Sequence, residues 1–184
     1  VEAAIYVWMP TLLARYTGSA TTLATYSLSI FFLLRAGGRF LGAWVLQQAR
    51  WQVVLTVFSG CILACFAFTA VGGVAWGVFL LPLSGLFMSV MYPTTNSKGI
   101  NCAHKADHGA AAGVILFFTC VSAVIAPLML GAMGDAFGDI IYGYWLATGF
   151  AVLLFGGSVL NWVLNPTRAV LEERDMTEYA PQSA

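Results

Sequence analysis

The sequence predicts an all-α membrane protein of six transmembrane helices, and three observations carry that prediction. The 184 residues are 60% hydrophobic and 9% charged, against about 45–50% and about 25% in a soluble domain. The charges sit in short islands, and the uncharged runs between them approach the roughly 20 residues that cross a hydrocarbon core of about 30 Å. Basic residues also collect on alternate sides of a six-helix threading. Arg39, Arg50, Lys98, Lys105, Arg168 and Arg174 fall on one side and Arg15 on the other, which marks the basic side as cytoplasmic.

The first helix is expected from Val1 to about Tyr16, barely long enough to span, so further residues are expected before Val1. It carries Glu2 with no basic stretch ahead of it, unlike a signal peptide. Thr17-Gly18-Ser19 reads as a loop, and a second helix follows from about Thr21 to Gln48. A third runs from about Gln52 to Val71 and a fourth from about Val74 to Asn96, with Gly72-Gly73 as the turn between them. The polar stretch Ser97–His108 reads as a loop and the fifth helix as about Gly109 to Gly134. Asp135–Asp139 is the next turn, and the sixth helix covers about Ile140 to Leu164. Asn165-Pro166 has the form of an N-cap with proline at the first helical position, opening a short polar helix and then a disordered tail. The expected domains are therefore a bundle, 1–164, and a cytoplasmic tail, 165–184. Trp8, Trp51, Trp76, Tyr142 and Trp145 lie near predicted helix ends, where interfacial aromatics belong.

Eight basic and eight acidic residues cancel, leaving no net field to recruit nucleic acid. Three of the four cysteines lie in apolar segments and read as small packing residues. Cys102, His104, Asp107 and His108 have side chains that can ligate a metal, but their spacing matches no strong zinc pattern, and they read as a solvated basic loop with no metal. No enzyme chemistry and no cofactor are expected.

Two three-helix units are discernible, one carrying Met9-Pro10-Thr11 and the other Tyr92-Pro93-Thr94-Thr95 in its first helix. Matched prolines in inverted repeats mark helices whose freed backbone groups bind substrate or gate it, although proline also simply kinks membrane helices. On the fourth helix Ser84, Met88, Tyr92 and Asn96 recur every four residues, a polar stripe expected to line a cavity or bond a neighbouring helix. Glu2 and Tyr6 form a similar line with Pro10 on the first. Arg35 lies near the centre of the second helix and needs an anionic partner. The expected partner is a carboxylate on another part of the protein or an anionic group on the substrate; Glu2 is the one carboxylate this chain offers within the membrane, and it reads equally as a residue at the cytoplasmic interface of the first helix. Gly37, Gly38 and Gly42 let another helix approach closely.

Three stretches together resemble the major facilitator superfamily and, within it, the fucose permease-like sugar/proton symporters. They are Gly38-Arg39-Phe40-Leu41-Gly42-Ala43-Trp44 leading to Arg50, Met88-Ser89-Val90-Met91-Tyr92-Pro93-Thr94, and Ala126-Pro127-Leu128-Met129-Leu130-Gly131-Ala132-Met133-Gly134-Asp135-Ala136-Phe137-Gly138. The resemblance implies the second six-helix half of a twelve-helix transporter, a 3+3 inverted repeat working by alternating access. It would lie in the plasma (inner) membrane, with both ends of this segment cytoplasmic. Its implied partners are the lipid bilayer, a small-molecule substrate and an N-terminal six-helix half. The implied coupling ion is a proton, whose carboxylates lie in that other half. Glu2, Tyr6, Pro10, Ser84, Met88, Tyr92 and Asn96 would then line the substrate cavity. Arg35, Gly38, Arg39, Gly42, Gly131 and Asp135 would serve packing between halves or anion pairing. Arg35 stands where the family has an apolar residue, which sets a sugar acid or another anion beside a neutral sugar as substrate. A six-helix interaction module or a homodimeric transporter is the alternative.

Overall fold

The structure, a computed structural model, describes residues 1–176; residues 177–184 of the expected tail lie outside the described residues. Regular structure among them is entirely helical. A π-helical turn, Ala4–Trp8, leads into α1, Met9–Leu13. Then come α2, Thr21–Thr25, α3, Ser27–Gln48, α4, Trp51–Gly72, and α5, Val74–Asn101. A 3-10 turn at Lys105–Asp107 precedes α6, His108–Phe137, then α7, Ile141–Leu164, and α8, Arg168–Arg174.

Five helices among the described residues are long and apolar enough to cross a membrane, not six. The first apolar segment falls short because its regular helix runs only over Ala4–Leu13. Pro10 distorts it: proline has no N–H to return to the carbonyl four residues earlier, and its ring crowds that oxygen. The π turn takes up the misfit at that place.

The expected second helix is also interrupted, at Tyr26, between α2 and α3. The Thr25 hydroxyl donates to the Thr21 carbonyl at 2.9 Å, the local bond by which threonine competes with the helical ladder. Conversely, α5 runs without a break through Pro82 and Pro93 to Asn101, so part of the expected Ser97–His108 loop is helical. Asp135 belongs to α6, which ends at Gly138 in the left-handed conformation (φ 73°) that glycine adopts freely. Asn165 caps the end of α7 rather than opening the next helix: its φ of 42° is left-handed, and α8 starts after Thr167.

The core is built where α5 packs against α3 and α4, and where α7 packs against α4 and α6. Phe31, Ile62, Phe66, Leu81, Met88 and Tyr144 are fully enclosed there. The α3–α5 crossing is close because of glycine on both sides. A Cβ on Gly38 would stand 2.5 Å from the Leu86 carbonyl oxygen, and one on Gly85 would stand 2.5 Å from that of Phe31. A Cβ on Gly42 would collide with Val90. The neighbour these glycines admit is thus α5 of the same chain, where the family resemblance implied the other half of a transporter. Gly131 likewise receives the Trp8 ring, and the Trp8 indole N–H donates to the Pro127 carbonyl at 3.3 Å. Trp8 therefore docks on α6.

Alternation of the helices puts Arg50, Lys98, Lys105 and Arg168 at one end of the bundle and Arg15 at the other. The buried Thr56 hydroxyl is shared between the Gln52 carbonyl of its own helix at 2.9 Å and the Ser158 carbonyl at 3.0 Å, and so joins α4 to α7. This is the kind of interhelical hydrogen bond that holds helices together where lipid removes the hydrophobic drive.

Candidate functional site: a polar group at mid-depth

The N-terminal segment lies against α3, α6 and α7. Its π turn is anchored by Tyr144, whose buried hydroxyl donates to the Ala4 carbonyl at 2.9 Å. That anchor fixes the position of Glu2 and Tyr6 one turn apart. The Tyr6 hydroxyl donates to Glu2 Oε2 at 3.1 Å, and Arg35 Nη2 stands 3.0 Å from Glu2 Oε1. The Arg35 guanidinium also lies 5.7 Å from the centroid of the Tyr6 ring, within cation–π range. Tyr6 in turn stacks on Phe32, centroids 5.6 Å apart, and meets the edge of Phe31 at 5.8 Å.

Arg35 lies about 12 Å along its helix axis from Ser27 and about 20 Å from Gln48, at 1.5 Å per residue. Glu2 lies about 16 Å from Leu13 by the same measure. The pair therefore stands near the middle of α3, a helix long and apolar enough to cross a hydrocarbon core of about 30 Å; at such a depth unpaired charges are costly and ionisable groups mark solute pathways. Arg35 finds its carboxylate within the chain, so the partner sought elsewhere in the protein or on a substrate is Glu2.

Glu2 and Tyr6 face a cavity of about 680 Å³ whose opposite wall is α6, with Phe118, Thr119, Ser122 and, from α7, Phe150. The Thr119 and Ser122 hydroxyls donate to the carbonyls of Ile115 and Thr119, both at 2.8 Å, leaving their oxygens free to accept. Mostly apolar walls with a few convergent polar atoms are the usual character of a small-molecule site. The cavity offers acceptors, an aromatic platform and no uncompensated charge, since Arg35 neutralises Glu2 from behind.

The other residues singled out from the sequence do not join this group. Ser84 and Met88 are buried, and the Ser84 hydroxyl is satisfied by the Leu81 carbonyl at 2.6 Å. Tyr92 is 43% exposed and Asn96 is partly exposed, on a different side of α5. An α-helix turns 100° per residue, so each four-residue step drifts about 40° and three steps drift about 120°. The expected stripe winds from the core to the outside. The matched prolines differ as well: Pro10 adjoins a π turn, whereas Pro93 sits in continuous helix. Arg39 and Asp135 are exposed and make no ion pair among the described residues.

Sequence reasoning missed the cavity wall on α6 and the aromatic pair Phe31–Phe32. The adjacent hydroxyl residues Thr119 and Ser122 in an otherwise apolar run were the available signal. Among the described residues no three metal-ligating side chains gather, and His104 Nδ1 lies 2.7 Å from Arg174 Nη1.

Fold and site together define a helical, multi-pass membrane protein with an ionisable group inside its span. The chain is similar to the L-fucose-proton symporter of Escherichia coli (strain K12), 29% identical over 124 residues. Those residues are 67% of this chain and 27% of that protein, so the chain spans about a quarter of its relative. No protein-family model and no solved structure matches.

Proposed function

We propose that this chain is one six-helix half of a major facilitator superfamily transporter, carrying a neutral sugar by alternating access with a proton as coupling ion. The observation that carries the reading is the Glu2–Arg35 pair, closed at 3.0 Å behind a mid-depth cavity. An anion drawn to Arg35 would compete with Glu2 for the guanidinium and meet the like charge of that carboxylate beside it. Sugar hydroxyls can instead donate to the lone pairs that Glu2 keeps, with a sugar face against the Tyr6 ring. The similarity to a fucose symporter supports the same class of solute.

Exposed apolar side chains on α3 and α6, among them Phe40, Trp44, Phe117 and Leu128, supply surfaces that lipid and the N-terminal half would cover. Rocking of the two halves about the cavity would expose it to either side in turn. Glu2 is held by a fixed cation and is not assigned the proton-carrying role, which belongs to the other half.

Uptake by the protein in proteoliposomes tests the reading, with L-fucose, other neutral hexoses and sugar acids offered across an imposed pH gradient. Saturable neutral-sugar uptake, raised by an inward proton gradient, is the expected result. Preference for the sugar acid would overturn the substrate class, and indifference to the gradient would overturn the coupling.

A further inference from the structure

At the basic end of the bundle two clefts adjoin. One, of about 360 Å³, is polar and lies between the start of α4, the end of α5 and α8; Arg50, Gln52, Lys98 and Arg168 line it. The other, of about 380 Å³, is apolar and runs between α4, α5 and α7 past Leu55, Met91, Leu153, Leu154 and Gly157. Trp51 and Lys98 line both, so the two meet at those side chains.

The charges in the polar cleft are unevenly satisfied. Arg168 Nε donates to Glu172 Oε1 at 2.8 Å, and that hydrogen bond and the Glu172 charge raise the Arg168 guanidinium above its usual range. Gln52 is committed to Asn165, to which its amide donates at 2.9 Å. The Arg50 and Lys98 side chains have no hydrogen-bond or ion-pair partner among the described residues, and Asp175 is the one further carboxylate in the lining. A cleft with two cations unpaired among the described residues, opening into an apolar slot beside a tryptophan at a helix start, has the polarity of a phospholipid at the membrane interface.

We propose that this double cleft is a binding site for one anionic phospholipid, its headgroup phosphate between Arg50 and Lys98 and one acyl chain in the slot along Leu154 and Gly157. Trp51 stands at the glycerol level between them. The site lies at the opposite end of the bundle from Arg15 and apart from the sugar cavity, so it would bind lipid whatever the transported solute.

Native mass spectrometry of the purified protein, released from micelles doped with phosphatidylglycerol or phosphatidylcholine, reads the site directly. One phosphatidylglycerol should be retained and phosphatidylcholine should not. The Arg50→Ala/Lys98→Ala double variant should weaken retention about thirty-fold, the effect of two basic side chains at a membrane surface. Gly157→Leu should also weaken it by filling the slot, since a Cβ at Gly157 meets nothing within 4 Å and the helix tolerates it. Arg15→Ala, at the other end, should leave it unchanged. Equal retention of the two lipids, or an unchanged affinity in the double variant, would overturn the proposal. So would displacement by inorganic phosphate alone, which would make the cleft a site for a soluble anion.

Discussion

Two ion pairs of nearly equal length hold the N-terminal segment, and they do different work. Arg15 meets Asp139 at 2.9 Å with side chains 54% and 45% exposed, whereas Arg35 meets Glu2 at 3.0 Å with 16% and 37% exposed. The first joins the end of α1 to the α6–α7 turn, where Asp139 also accepts the Ile141 N–H at 3.1 Å. It stands at a bundle end, where water and salt screen it. The second packs against the Tyr6 ring near the middle of α3, with Glu2 facing a cavity. Distance alone does not rank an ion pair; the medium around it does, because desolvation and attraction both grow as the dielectric falls.

The contrast breaks most visibly at Arg35. Arg35→Ala leaves Glu2 without its cation, and with the Glu2 side chain 37% exposed the loss is that of a charge-assisted hydrogen bond, about 1.5–3 kcal/mol, rather than that of a fully buried pair. The expected outcome is a lower Tm in detergent and uptake reduced to background, measured on protein of equal yield. Unchanged uptake would place the pair outside the transport pathway. Tyr6→Phe sharpens the same side of the comparison. It removes one hydrogen bond to Glu2, worth about 1 kcal/mol, and keeps the ring beneath Arg35. A KM raised about five-fold with kcat little changed is expected from transport kinetics; an unaltered KM would deny the hydroxyl a part in the site. Arg15→Ala should have the smallest effect, about 0–1 kcal/mol, and should vanish at high salt. A salt-independent loss larger than that would show that the two pairs are alike after all.

The helices α4, α5 and α7 were legible in the sequence because long uncharged runs between charge islands leave little choice of span, and glycines at positions 73 and 138 punctuate them. The first segment was not legible, because hydropathy counts residues and is blind to the π turn that accompanies Pro10. Arg35's need for a partner could be stated, and Glu2 was the one intramembrane carboxylate available. Choosing Glu2 over a partner elsewhere required the approach of the N-terminal segment to α3, which no periodicity records. The residues from Ser84 to Asn96 do not form a straight line, because spacing by four drifts about 40° per step and the helix turns from its buried to its exposed side along them. Gly38 and Gly42 announced a close neighbour without naming it. The Cβ positions that would strike Leu86 and Val90 identify α5.

Exchange of the two charges, Glu2→Arg with Arg35→Glu, tests most directly whether the mid-depth pair acts as one neutral unit. Each single variant places two like charges together and should abolish sugar uptake, and the doubly exchanged protein should recover a substantial part of it. Full uptake in either single variant, or no recovery in the exchanged protein at equal membrane levels, would contradict the account.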